Sequence, residues 1–166
     1  MRKIITASLA VAALVAAGSA SALTATTSFS VTATVLKTCS ATATTLGFGN
    51  YTPGTGALTA NTTINVKCTK GTGFTVALDK GTTATGTIAQ RLMTNGTDTL
   101  QYNLFTTAAF ATIFGDGTTG VTQAGTGTGL ASAVALTVYG SLPDSTLNQG
   151  VSTGAYADTI GVTVTY

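Results

Sequence analysis

The sequence predicts an all-β domain, built as an antiparallel sandwich, on three observations. Apolar and polar residues alternate with a period of two along most of the chain after residue 22. The residues in these runs are chiefly Thr, Val, Tyr and Phe, which suit a pleated, half-buried surface. Turn-forming pairs separate the runs at short intervals, and many short strands at such spacing are typical of a sandwich.

The alternation divides the chain into nine candidate strands, and no segment after residue 22 shows helical periodicity. Glycine- and threonine-rich stretches at 81–87 and 115–129 are interpreted as loops of one domain, because neither flank has enough apolar residues for a core of its own. The turn signals are Pro53-Gly54, Lys80-Gly81, Asn95-Gly96, Asp116-Gly117 and Pro143-Asp144. The candidate strands are 23–37, 45–49, 58–68, 73–78, 91–93, 100–105, 113–114, 134–142 and 156–166.

Residues 1–22 have the three-part pattern of a secretory signal peptide. A positive start at Arg2 and Lys3 precedes an apolar run over 4–17, and small residues follow at 20–22. The apolar run is too short to span a bilayer. We therefore expect export, with cleavage after Ala22.

Composition excludes several classes of function. The chain has no His, no Glu and no Trp, and only 7% of it is charged, against about 25% in an ordinary domain. Loss of residues 1–22 leaves five Lys or Arg against five Asp, so the exported chain is neutral and has no patch suited to nucleic acid or anionic lipid. We expect no enzyme, cofactor, metal site or small-molecule substrate, since acid, base and ligand residues are scarce. A dyad of Lys37 and Ser40 is better explained as solvated strand ends.

The two cysteines, Cys39 and Cys68, are expected to form one disulfide. An exported chain meets an oxidising environment. A two-cysteine metal site would lack the further ligands it needs. Closing a loop of about 30 residues stabilises by roughly 3 to 4 kcal/mol in the chain-entropy account.

The two ends of the exported chain have the most regular patterns. At the C-terminus the alternation continues to the last residue, whereas chain termini usually fray. Such strands are expected to pair within the fold or with another molecule. The odd positions near the N-terminus are Leu23, Ala25, Thr27, Phe29, Val31, Ala33 and Val35; at the C-terminus Tyr156, Ile160, Val162, Val164 and Tyr166 share one face.

An ordered set of short motifs covers nearly all of the exported chain. The motifs occupy residues 37–40, 46–51, 64–68, 74–79, 91–93, 100–105, 138–140, 154–159 and 162–166. Each motif alone is weak, but the ordered set resembles the spore coat protein U domain family, which includes archaic, Csu-type chaperone-usher pilus subunits.

The resemblance implies an immunoglobulin-like sandwich that lacks its last strand and has an apolar groove along its core. It divides the chain into a signal peptide (1–22), a donor-strand extension (23–34) and a pilin domain (35–166). Val35 and the residues near Cys39 are expected in the domain's own first strand, and the C-terminal strand is expected to border the groove. The side chains expected to enter a neighbour's groove are Ala25, Phe29, Val31 and Ala33, with Phe29 in the largest pocket.

The implied function is that of a structural subunit of an extracellular pilus, serving adhesion and biofilm formation. Its partners would be neighbouring copies or related pilins, a periplasmic chaperone and an outer-membrane usher, and it would pass through the periplasm to the cell surface. Two alternatives stay open: a self-contained secreted coat protein, and a sugar-binding or tip adhesin module. Structurally, the alternative is that the whole N-terminal segment is simply the domain's first strand.

Overall fold

A computed structural model describes residues 21–166. The signal peptide expected over 1–22 therefore lies almost wholly outside the described residues. The compact unit runs from Val35 to Tyr166. Residues 21–34, described by themselves, have no regular secondary structure, and all their side chains are exposed. No helix in the described part of the chain is long and apolar enough to cross a membrane.

The compact unit consists of two antiparallel sheets, which confirms the predicted all-β sandwich. The larger sheet has the strand order β1-β2-β7-β5-β4 and the smaller has the order β6-β3-β8. The elements are β1 (Cys39–Ala43), β2 (Leu58–Cys68), β3 (Gly73–Leu78), β4 (Arg91–Thr94), β5 (Thr99–Phe105), β6 (Gln123–Thr126), β7 (Val134–Leu142), α1 (Thr146–Gln149) and β8 (Val162–Thr165).

The core lies between the sheets and is built from the alternating inward residues of the long strands. β2, β5 and β7 supply one side and β3 the other, and each fully buried aliphatic side chain contributes about 1.5 to 3 kcal/mol. The predicted Cys39–Cys68 disulfide is present and ties β1 to the buried end of β2. The buried core residues are Ile64, Val66, Cys68, Phe74, Val76, Leu78, Leu100, Tyr102, Leu104, Phe114, Leu136, Val138 and Leu142.

The strands predicted from strong alternation are observed with bounds equal or close to the predicted ones. β2, β3 and β7 agree at both ends, and β4 and β5 differ by one residue at one end. At 113–114, where a strand was predicted, the structure has isolated bridges, which join Phe105 to Ile113 and Phe114 to Val121. β3, β5 and β7 were predictable because each buries every second side chain, as does the second half of β2.

Several strand predictions at the ends and in the glycine-rich regions are wrong. Residues 23–37 form no strand, and 45–49 form none because the chain leaves the β2 ladder after Thr44. The expected loop at 115–129 contains β6, which pairs with β3 and in which Gly125 leaves room for the Phe74 ring. The strand expected over 156–166 shrinks to β8, because residue 157 bridges to β4 before the chain crosses to the other sheet.

The placement of Val35 in the first strand is also wrong. β1 begins at Cys39, which pairs with the last residue of β2, Cys68. Before that point the partner strand has ended, and the side chain of Val35 is 81% exposed. The domain's own first strand is therefore short and starts at the disulfide.

The short helix α1 was not predicted from the sequence. Ser145 caps it by accepting a hydrogen bond from the backbone of Asn148. The Asn148 side chain is fully buried and bonds both the N–H and the C=O of Gln101, at 2.7 and 2.8 Å. On β5, only residues Asn103–Phe105 pair with β7, so the ladder does not reach Gln101. The Asn148 side chain takes the place of the missing strand partner there.

Arg91 is a fully buried cation that joins the sheets through neutral acceptors. Its guanidinium donates to the carbonyls of Asp79 at 2.7 Å and Phe114 at 2.9 Å, and to Oδ1 of Asn103 at 2.7 Å. Desolvation lowers the pKa of Arg91. The planar fork places its donors at fixed, separated positions that match carbonyls from separate elements, a spacing that the compact ammonium of lysine does not reproduce.

We predict that Arg91→Lys lowers the free energy of unfolding by about 3 kcal/mol, because buried carbonyls lose their donors. Urea denaturation measures this change. Lys67→Met, at an exposed position on β2, is the control and should stay within about 0.5 kcal/mol of the parent. A loss of less than about 1 kcal/mol for Arg91→Lys would contradict the role given to the guanidinium.

Candidate functional site: an apolar groove

Two adjoining cavities of about 520 and 680 Å³ form one groove along the core. The first is lined by buried core side chains of β2, β3, β5 and β7, and the second lies over Leu100 and Leu142. Four side chains line both cavities: Leu46, Phe48, Met93 and Tyr156. We call this feature the groove; its two sides are the segments 43–53 and 151–162.

The first side of the groove, segment 43–53, is the irregular stretch that follows β1. Phe48 is half-buried and packs edge-on against Tyr102, with ring centroids 6.1 Å apart. A Cβ at position 140 would lie 2.9 Å from both Leu46 Cδ1 and Phe48 Cζ. Gly140 on β7 therefore lets this side of the groove pack directly on the backbone of the sheet.

The second side of the groove, segment 151–162, crosses from one sheet to the other. Residue Ala157 exchanges two backbone hydrogen bonds with Thr94 on β4, at 3.0 and 3.1 Å. Four residues later Gly161 donates to Oδ1 of Asp79 at 2.9 Å, and the chain enters β8. Between these anchor points the chain spans the gap between the sheets.

The structure brings together three of the five C-terminal residues expected at the groove edge. Tyr156, Ile160 and Val162 are half-buried and line the groove. Val164 is half-buried against the core but does not line the two cavities. Tyr166 is 55% exposed and lies outside them.

The groove is open because both sheets end at it. β1 is the edge of the larger sheet and β8 is the edge of the smaller one. Among the described strands, β8 pairs only with β3, so one side of its backbone has no strand partner. An edge strand beside apolar side chains is a site that accepts an added strand.

The expected donor side chains are placed in solvent. Phe29 is 86% exposed and Val31 is 83% exposed, and Ala25 and Ala33 are exposed as well. A row of exposed apolar side chains is unfavourable in a free chain. Their entry into a neighbour's groove stays a prediction.

Carboxylates near the groove hold loops through hydrogen bonds. Asp144 accepts from the Tyr51 hydroxyl and from the N–H groups of Gly54 and Gly56, at 3.0 and 2.9 Å for the amides. These bonds, that of Tyr51 foremost, lower the pKa of Asp144 to about 2. Burial and the same partner raise the pKa of Tyr51 to about 12. The pair fixes the loop 51–56 at one end of the groove.

Asp98 and Asp116 are structural in the same way. Asp98 accepts from the N–H of Ser152 at 2.8 Å, and Asp116 accepts from those of Thr118 and Thr119. Hydrogen bonding by Ser152, its side chain foremost and then its backbone N–H, lowers the pKa of Asp98, and the N–H groups of Thr119 and Thr118 lower that of Asp116. No group of three His, Cys, Asp or Glu side chains within residues 21–166 is arranged to hold a metal ion.

Fold and groove together define the class of protein: an antiparallel β-sandwich with an apolar groove along its core, beside the edge strands β1 and β8. The family model of the Spore Coat Protein U domain matches residues 25–163, and the chain belongs to this family. The resemblance found in the sequence motifs is thereby confirmed. No curated protein matches the chain.

Among solved structures, the fold is similar to a chain in the CsuC-CsuE chaperone-tip adhesion subunit pre-assembly complex from archaic chaperone-usher Csu pili of Acinetobacter baumannii. The TM-score is 0.54 and the identity 22%, over 80% of this chain and 40% of that chain. This chain thus spans less than half of its neighbour's length. The similarity supports the immunoglobulin-like sandwich inferred from the motifs.

We predict that Asp144 contributes to the loss of stability in acid. Its pKa is about 2 in the folded chain and about 3.9 in the unfolded one. Its contribution is therefore present above about pH 4 and is lost as the pH falls through 2. Urea denaturation between pH 2 and 7 should show a shallower pH dependence in Asp144→Asn. If the variant's curve ran parallel to that of the parent, this assignment would be wrong.

Proposed function

We propose that this chain is a subunit of an extracellular pilus assembled by donor-strand exchange. In this proposal the segment 23–34 of one copy, which we call the donor segment, fills the groove of the next copy. The observation that carries it is the presence in one chain of an uncovered apolar groove and an exposed segment with one largely apolar face.

The two features compensate for each other chemically. The donor segment has 12 residues, from 23 to 34, and spans about 40 Å when extended. Its backbone can pair with the free side of β8 while its apolar side chains cover the core. Removing the Phe29 side chain from water alone contributes about 1.5 to 3 kcal/mol.

The partners follow from the same physics. An open groove is a hazard in a lone monomer, so a chaperone in the periplasm would lend a strand until the next subunit replaces it. Assembly would take place at an outer-membrane usher, and the product would be a fibre on the cell surface that serves adhesion and biofilm formation. Membership of the family and the likeness to a chaperone-bound pilus complex support this route.

The neutral surface suits a fibre of many copies. A strong charge of one sign would repeat along the polymer and oppose assembly. The exported chain carries five positive and five negative side chains, and each described Asp carboxylate accepts backbone hydrogen bonds within its own domain. Subunit joining would therefore depend on apolar burial and backbone pairing.

A self-contained coat protein would use the same fold without exchange. It requires a stable monomer that folds without a chaperone. The exposure of Phe29 and Val31 favours the pilus subunit, because a self-contained domain gains nothing from these side chains in solvent. The oligomeric state distinguishes the two functions.

We predict that deletion of residues 23–33 abolishes polymer formation while the groove stays intact. Polymers of the exported chain should appear as an SDS-resistant ladder that collapses on heating, and the deleted chain should give none. A synthetic peptide of residues 23–36 should bind the deleted chain and raise its melting temperature. Polymer formation by the deleted chain at the parental level would refute the proposal.

We predict that Phe29→Ala weakens each junction by about 3 kcal/mol, through lost burial and the cavity left behind. The rate of polymer dissociation in SDS should rise roughly a hundredfold. Ser28→Ala changes the opposite face of the same segment and is the matched control. Equal rates for the two variants would show that the face of the segment carrying Phe29 does not enter the groove.

A further inference from the structure

One residue that lines the groove differs from the others in carrying a charge. Asp158 is the only charged side chain that lines either cavity. It is half-buried in the side of the groove that crosses between the sheets, between Tyr156 and Ile160. A carboxylate at this place must be covered by any strand that fills the groove.

The two oxygens of Asp158 differ in their hydrogen bonding. Oδ1 accepts from the backbone N–H groups of Thr82, Thr83 and Thr159 and from the Thr82 hydroxyl, at 2.8 to 3.3 Å. Oδ2 accepts a single bond, from the Tyr102 hydroxyl at 2.7 Å. Asp158 thus accepts five hydrogen bonds from its own domain, four on Oδ1 and one on Oδ2, so Oδ2 is the less heavily bonded oxygen.

Covering the groove desolvates this carboxylate. A charge taken out of water is costly unless hydrogen-bond donors stabilise it. A covering strand that brings a further donor to Oδ2 is therefore favoured over one that places an apolar side chain against it.

The donor segment has one hydroxyl on its apolar face. Of the odd positions from 23 to 35, six are Leu, Ala, Phe or Val, and only Thr27 is polar. The other Thr and Ser residues up to position 34 lie at even positions, which face the opposite way in an extended strand. The groove lining thus has one charged acceptor, Asp158, and the apolar face of the strand has one hydroxyl donor, Thr27.

We propose that Thr27 of the incoming copy donates its hydroxyl to Oδ2 of Asp158 and thereby fixes the register of the donor segment; this rests on the proposed function. A slip of one residue turns the apolar face away from the core. A slip of two residues keeps that face inward but sets Ala25 or Phe29 against the carboxylate. Only the polar pair discriminates against the second slip, much as a single buried polar residue sets register in a coiled coil.

The test is a double-mutant cycle in polymers of the full exported chain, with the rate of dissociation in SDS at fixed temperature as the readout. Thr27→Val should raise the rate about tenfold, since it keeps the shape and removes the donor. Thr27→Ser should stay within about threefold of the parent because it keeps the hydroxyl. Thr26→Val makes the same chemical change on the opposite face and should leave the rate unchanged.

The Asp158→Asn background isolates the pair. There Thr27→Val should change the rate less than about twofold. If Asp158→Asn does not fold, the comparison of Thr27→Val with Thr26→Val on the unchanged groove decides the matter alone. Dissociation of Thr27→Val polymers at or below the parental rate would overturn the proposal, as would an equal tenfold effect in both backgrounds.

A second readout reports register directly. A photo-crosslinking benzoylphenylalanine in place of Phe29 should attach to one groove position in the parent. With Thr27→Val it should attach to several positions that differ by two-residue steps. A single attachment site in both would refute the register role. Failure of the parent chain to polymerise would instead refute the proposed function, so the two failures are distinguishable.

Discussion

The apolar groove beside the edge strands β1 and β8 is the constraint on which the rest of the structure depends. Two sheets that close around a core normally bury both faces, yet here each sheet ends in an edge strand beside the same apolar groove. Apolar burial stabilises the fold, and exposed apolar surface favours association. The same property that makes the isolated domain incomplete makes it suited to bind an added strand.

Much of the remaining architecture keeps this groove open and rigid. The disulfide starts β1 at the point where β2 ends, so the residues before Cys39 are not part of the domain's own sheet. Asp79, Asp144 and Asp158 fix the loops and the crossing segment around the groove through backbone hydrogen bonds. A preformed groove binds an extended segment at a lower entropic cost than one that must first be ordered.

The sequence predicted those parts of the fold in which local pattern and burial agree. β3, β7 and the second half of β2 bury every second side chain, so the bounds of these strands could be predicted. β6 could not, because it lies in a glycine- and threonine-rich stretch that resembles a loop. The Asn148 contact and the groove carboxylate Asp158 were missed, since they depend on residues far apart in the chain. Of the C-terminal residues that the resemblance puts at the groove edge, Tyr156, Ile160 and Val162 line the groove, whereas Tyr166 continues the alternation beyond it.

The central claim is that residues 23–34 of one copy lie in the groove of the next. Amide hydrogen exchange on the polymer and on the chain lacking residues 23–33 tests it most directly. The account predicts that, in the polymer, the amides of the donor segment become protected and those of β8 exchange more slowly than in the shortened chain, because both strands gain ladder partners. Rapid exchange of residues 23–34 within an intact polymer would contradict it.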